Sequence, residues 1–139
     1  MTSNEMRADT LVRALRAAVD GDIETIAASC TDDIRAWTPA LSTSSLAELI
    51  DELGRRDDVF SNVELEVAPL DVGGVFACVE WTVTMTRPGA IDLADETVEP
   101  TELQIKLHGV TIAEFAGDRI CSLRQYWDES AILEQLGGP

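Results

Sequence analysis

The sequence predicts an α+β domain in which a curved antiparallel sheet wraps around N-terminal helices. Three observations carry that reading. In the first third of the 139 residues the apolar positions recur at helical spacing, and from Val63 onward the period drops to two. The order is helix, helix, short strand, helix, then four strands. Helices gathered at one end of the chain, rather than alternating with strands, call for an antiparallel sheet with the helices on one face.

Each element has a local reason. Thr2-x-x-Glu5 is a capping box, Leu11, Val12, Leu15 and Val19 follow at helical spacing, and Gly21 supplies a stop, which predicts a helix over about residues 3–19. Asp22 can cap a short second helix with Ile23, Ile26, Ala27 and Cys30 on its inner side, and Thr31-Asp-Asp33 reads as a turn. Ile34 to Thr38 is a short strand stopped by Pro39. Ser45-x-x-Glu48 opens a third helix, with Leu46, Leu49, Ile50 and Leu53 on one side and Gly54 at its end.

The strands follow. Val63, Leu65 and Val67 alternate with Glu64 and Glu66, and Asp71 to Gly74 is a turn. Val75 to Thr86 sets Val79, Trp81, Val83 and Met85 against Glu80, Thr82, Thr84 and Thr86. Leu103 to Phe115 sets Leu103, Ile105 and Leu107 against Gln104, Lys106 and His108. Ile120 to Trp127 completes the sheet, and Ser130 to Leu136 can make a last helical turn or two. The segment from Arg87 to Thr101, with Pro88, Gly89 and four acids, is long enough for a lid or an edge flap. Such a sheet cannot fill its own mouth, so an apolar pocket is expected.

Composition removes several classes of function. With 45% apolar residues the chain can build its own core as a single domain over residues 1–139, without disulfides or a structural metal. Cys30, Cys78 and Cys121 are an odd number with no C-x-x-C, which reads as reduced thiols. One histidine and no paired cysteines make a zinc site unexpected, and the acids between Asp92 and Glu99 lack the glycine and spacing of a calcium loop. Neither a metal nor another cofactor is expected. The 26 acidic against 10 basic residues give a net charge of −16, which repels phosphate backbones and argues against nucleic acid. No apolar run approaches the roughly 18 residues of a membrane span, and residues 1–10 lack the features of a signal peptide. A cytoplasmic protein without a membrane partner is expected.

Several segments carry a resemblance: Gly109-Val-Thr-Ile-Ala-Glu-Phe115, Gly117-Asp-Arg-Ile120, Leu123-Arg-Gln-Tyr-Trp-Asp128 and Ile132-Leu-Glu-Gln-Leu-Gly137. So do Ala17-Ala-Val-Asp-Gly-Asp22, Thr31-Asp-Asp33 and Trp37-Thr-Pro39 near the start. Together they resemble the nuclear-transport-factor-2-like superfamily, and its SnoaL-like branch in particular, over nearly the whole chain. The resemblance implies a cone-shaped, cystatin-like α+β barrel. Its members include polyketide cyclases, ketosteroid isomerases, limonene-epoxide hydrolases and non-catalytic binding domains, so the fold alone does not select an activity.

The positions where those enzymes keep their acids are informative. By resemblance the isomerase base falls on Thr38, its helix-one tyrosine on Ala14 and its oxyanion-stabilising acid near Thr111. The hydrolase and cyclase acid on the last strand falls on Gln125, and the strand that carries the hydrolase's other acid and its arginine presents Val79, Trp81, Val83 and Met85 inward. Threonine and glutamine bind oxygen but do not take a proton at neutral pH.

Two readings follow. In the first, the chain is a cofactor-independent cyclase, isomerase or hydrolase acting on a neutral lipophilic polyketide- or terpenoid-like compound. Asp128 or His108 would move the proton, Gln125 and Thr111 would orient substrate oxygen, and Trp37, Thr38, Trp81 and Trp127 would shape the pocket. In the second, the same pocket binds an apolar ligand without transforming it. Each candidate also has a plain structural role: Asp128 as a helix cap, His108 on the polar face of its strand, and the three tryptophans as core filling. Glu64, Glu66, Glu80, Lys106, His108, Arg124 and Tyr126 would share the outer sheet face, which is either solvated or a homodimer interface.

Overall fold

The computed structural model describes residues 2–39, 41–54, 61–70, 72–87, 92–93, 96–97, 103–128 and 130. The predicted last helix from Ser130 to Leu136, apart from Ser130 itself, and most of the segment from Arg87 to Thr101 lie outside them. Helix α1 spans Ser3–Asp20, α2 Ile23–Ser29 and α3 Leu46–Gly54. The strands are β1 Cys30–Trp37, β2 Ser42–Thr43, β3 Ser61–Leu70, β4 Phe76–Arg87, β5 Asp92–Leu93, β6 Glu96–Thr97, β7 Leu103–Ala116 and β8 Arg119–Trp127. Six of them form one curved, unclosed sheet in the order β2-β1-β8-β7-β4-β3, and β5 pairs with β6 in a separate two-stranded sheet. No helix among the described residues is long and apolar enough to cross a membrane.

The caps read from the sequence form. Thr2 Oγ1 accepts from Glu5 N at 3.2 Å, and α1 closes at Gly21, whose φ of 75° is the left-handed conformation that glycine adopts without strain. Asp22 accepts from the backbone and hydroxyl of Thr25, which holds its carboxyl below the usual range. Ser45 accepts from Glu48 N at 3.1 Å.

Two features depart from the reading. The Thr31-Asp-Asp33 turn is instead part of β1, which begins at Cys30 and runs parallel to β8, with a register irregularity between Cys30 and Arg35 that absorbs the extra residues. All other pairings in the large sheet are antiparallel. A two-residue edge strand, β2, also forms, because Thr38 turns the chain: its backbone N–H bonds Leu41 O at 2.8 Å and its hydroxyl accepts from Leu41 N at 3.0 Å.

The core lies between the helices and the inner sheet face. Leu11 and Leu15 of α1 and Leu49 of α3 pack on Ile34, Ala36, Val79, Trp81, Ala113, Phe115 and Ile120, all buried. Cys30 joins this core, and burial pushes its thiol from an ordinary value near 9.0 up to about 11. Below pH 9 the thiol is protonated in both folded and unfolded chains. Between pH 9 and 11 the unfolded chain releases a proton that the folded chain keeps, so stability falls as pH rises. A denaturant series at pH 8, 9, 10 and 11 should show wild type losing about 2–3 kcal/mol more than Cys30→Ala across that window. Parallel pH profiles for the two proteins would contradict this.

Candidate functional site

The inner face of the sheet is organised by cross-strand rows. Register places Val67, Trp81, Gly109 and Trp127 in one row across β3, β4, β7 and β8, and Val79, Thr111 and Gln125 in the next. Directly opposed residues share a face, so the two tryptophans flank a glycine. A Cβ on Gly109 would stand within 2.7 Å of Cε2 of Trp81 and closer still to Cζ2 and Cη2. The missing side chain is what lets the indole lie flat across β7. Trp81 Nε1 then donates to Thr111 Oγ1 at 2.9 Å, both residues being buried. Trp127 meets Trp81 edge to face, with centroids 6.2 Å apart at 62°.

Trp81, Thr111, Gln125 and Trp127 are therefore brought together. Trp81 and Thr111 form the fixed part, and the half-buried Gln125 and Trp127 border it. Thr111 is fully buried and its oxygen accepts the indole N–H, so its role is to hold Trp81 rather than to meet a substrate oxygen. Thr111→Val should leave that indole N–H without an acceptor and cost about 1–3 kcal/mol in urea unfolding, more than the same substitution at the half-buried Thr84. Equal losses at the two sites would refute the assignment.

The remaining candidates do not join this cluster. His108 lies on the outer face, exposed, sharing a 3.0 Å hydrogen bond with Thr82. Asp128 is exposed beyond the end of β8, and its Oδ1 accepts from Ser130 N at 2.9 Å. Asp128, Gln125 and His108 are thus not assembled as a proton-moving set. Thr38 is engaged in the turn to β2. Trp37 is 44% exposed: Ile34 and Ala36 occupy the inward positions of β1, so Trp37 faces away from the helices and neither fills the core nor shapes a pocket with Trp81 and Trp127, against both expectations for it.

The two rows around Trp81, formed by Val67, Trp81, Gly109 and Trp127 and by Val79, Thr111 and Gln125, carry no carboxyl, imidazole, amino or guanidinium group. Glu64, Glu66, Glu80, Lys106, His108, Arg124 and Tyr126 are all on the opposite, outer face. The residue that sequence reasoning missed is Gly109. A glycine inside a long strand was its signal, since such a position marks close approach of another group.

The SnoaL-like domain family model matches residues 11–123. No curated protein sequence matches. Among solved structures, a candidate SnoaL-like polyketide cyclase from Jannaschia sp. CCS1 is 17% identical, with a TM-score of 0.78 over 100% of this chain and 97% of that one. An LEH-like epoxide hydrolase of M. tuberculosis is 16% identical, with a TM-score of 0.72 over 97% and 92%. A candidate ketosteroid isomerase from Kribbella flavida is 19% identical, with a TM-score of 0.65 over 93% and 82%. At these identities the likeness is one of fold.

Proposed function

This chain belongs to the SnoaL-like domain family, and from that premise we propose that it is a binding module for a neutral, lipophilic small molecule. The ligand rests against Trp127 and the edge of Trp81, with the Gln125 amide bonding a carbonyl or hydroxyl oxygen. The single observation behind this reading is the character of the inner sheet face, where tryptophan, glycine, threonine and glutamine stand in place of acids. An amide both donates and accepts, so it orients a neutral oxygen without changing protonation. Flat indole walls favour a fused-ring or conjugated ligand.

The catalytic reading draws support from the names of the cyclase and epoxide hydrolase of the same fold. It requires a proton carrier at the ligand, and Asp128 is the described acid nearest in sequence to Trp127. Titration with fluorenone, a neutral tricyclic ketone, separates the two. Trp127→Ala should weaken binding at least tenfold and Gln125→Ala several-fold, whereas Asp128→Asn should leave affinity unchanged. Turnover of a ketone or epoxide that vanishes in Asp128→Asn would overturn the binding reading, as would fluorenone affinity indifferent to Trp127→Ala. Mass spectrometry of lipophilic material carried through gentle purification would identify the ligand class.

A further inference from the structure

A groove lies on the opposite face of the sheet. With Ile34 and Ala36 turned inward, β1 presents Arg35 and Trp37 outward, and register sets Ser122 against Arg35 and Arg124 against Trp37 on β8. Tyr126 is the next outward residue on β8, and its ring lies 5.2 Å from that of Trp37 at 46°. These side chains, with Ser42 of β2, border a groove of about 700 Å³.

Two properties of this groove are unusual for this chain. Its two aromatic rings stay open, Trp37 at 44% and Tyr126 at 42% exposed. Its two arginines have no ion pair or hydrogen bond among the described residues, although acids outnumber bases 26 to 10. Glu114 shares the row of Arg35 two strands away, roughly 9–10 Å between backbones, and lies diagonal to Arg124 on the neighbouring strand, with no ion pair to either among the described residues. A site with two uncommitted guanidinium groups and an open aromatic pair matches one ligand chemistry. Guanidinium forks take carboxylates in paired hydrogen bonds, and open rings take a planar π-face.

We propose that this groove is a binding site for a small planar anion, an aromatic ring bearing a carboxylate. The ring packs on Trp37 and Tyr126 while Arg35 and Arg124 hold the carboxylate. The site is separate from the inner-face site and stands or falls independently of it. The excess negative charge of the chain works against any anion at long range, so binding rests on these local contacts.

The three indole N–H signals in a proton–nitrogen NMR spectrum of the full chain, with the Trp37 signal identified by Trp37→Phe, read the site directly. Naphthoate should move the Trp37 signal saturably and leave those of Trp81 and Trp127 in place. Naphthylmethanol, its neutral counterpart, should bind at least tenfold more weakly. The double variant Arg35→Ala/Arg124→Ala, which removes only exposed side chains, should keep the wild-type melting temperature and lose at least tenfold in naphthoate affinity. Equal binding of acid and alcohol, unchanged affinity in the double variant, or a response at Trp81 or Trp127 alone would overturn the proposal. So would sedimentation showing self-association that the double variant abolishes and naphthoate does not compete, because the groove would then be occupied by a second copy.

Discussion

Gly109→Ala should destabilise the chain by about 3 kcal/mol, a drop of roughly 10 °C in melting temperature for a domain of this size. The added methyl group falls inside the Trp81 indole, which is 7% exposed and lies across β7. Trp81 must leave its position over β7, and with it go the 2.9 Å hydrogen bond to Thr111 and the edge-to-face contact with Trp127. Strand propensity alone predicts the opposite sign, since alanine is better than glycine in an extended strand interior. Thermal melts of Gly109→Ala, Trp81→Leu and the double variant test the cause. The double variant should be more stable than the sum of the two single losses predicts, because the smaller leucine side chain leaves room for the methyl. Additive losses would mean that the clash is not the reason Gly109 is glycine.

Leu11→Ala should cost about 3–4 kcal/mol in urea unfolding. Leu11 is wholly buried and anchors α1 on the sheet together with Leu15. Truncation removes apolar contact and leaves a cavity between helix and sheet, which α1 cannot close without withdrawing Leu15 as well. Met6, on the same helix but 54% exposed, is the control, and Met6→Ala should change stability by less than about 0.5 kcal/mol. Comparable losses at the two positions would contradict this packing of α1.

Much of this arrangement was legible because period and caps are local signals. Thr2 and Glu5, Asp22, and Ser45 and Glu48 each mark a helix start with a side chain that satisfies an orphan N–H, and the structure closes those bonds. Strand parity likewise placed Trp81 inward and His108 outward, because burying one face of a sheet fixes every second residue. The misreadings arose where non-local pairing decides. The extension of β1 back to Cys30 depends on parallel pairing with β8, some 90 positions away, and the two residues of β2 exist only as partners of Ala36 and Trp37. Trp37 was misplaced for a different reason. Its size argued for burial, yet Ile34 and Ala36 had already taken the inward positions of its strand.

The candidate site was legible by residue type but not by geometry. Sequence identified Trp81, Thr111, Gln125 and Trp127, whereas the hydrogen bond that withdraws Thr111 from solvent, and the glycine that admits the indole, need the cross-strand register to be seen. Asp128 and His108 were singled out for their chemistry, and each is used in a local hydrogen bond outside the tryptophan cluster.

The central claim is that ligand meets a surface without a proton-active group, and the pH dependence of affinity tests it most directly. In Trp37→Phe, where only the inner-face indoles report, fluorenone should quench tryptophan fluorescence with one affinity from pH 5 to pH 8.5, a window in which carboxylates finish ionising and histidine titrates. An affinity that changes tenfold within that window, with the folded state intact throughout, would place an ionisable group at the ligand and contradict the account.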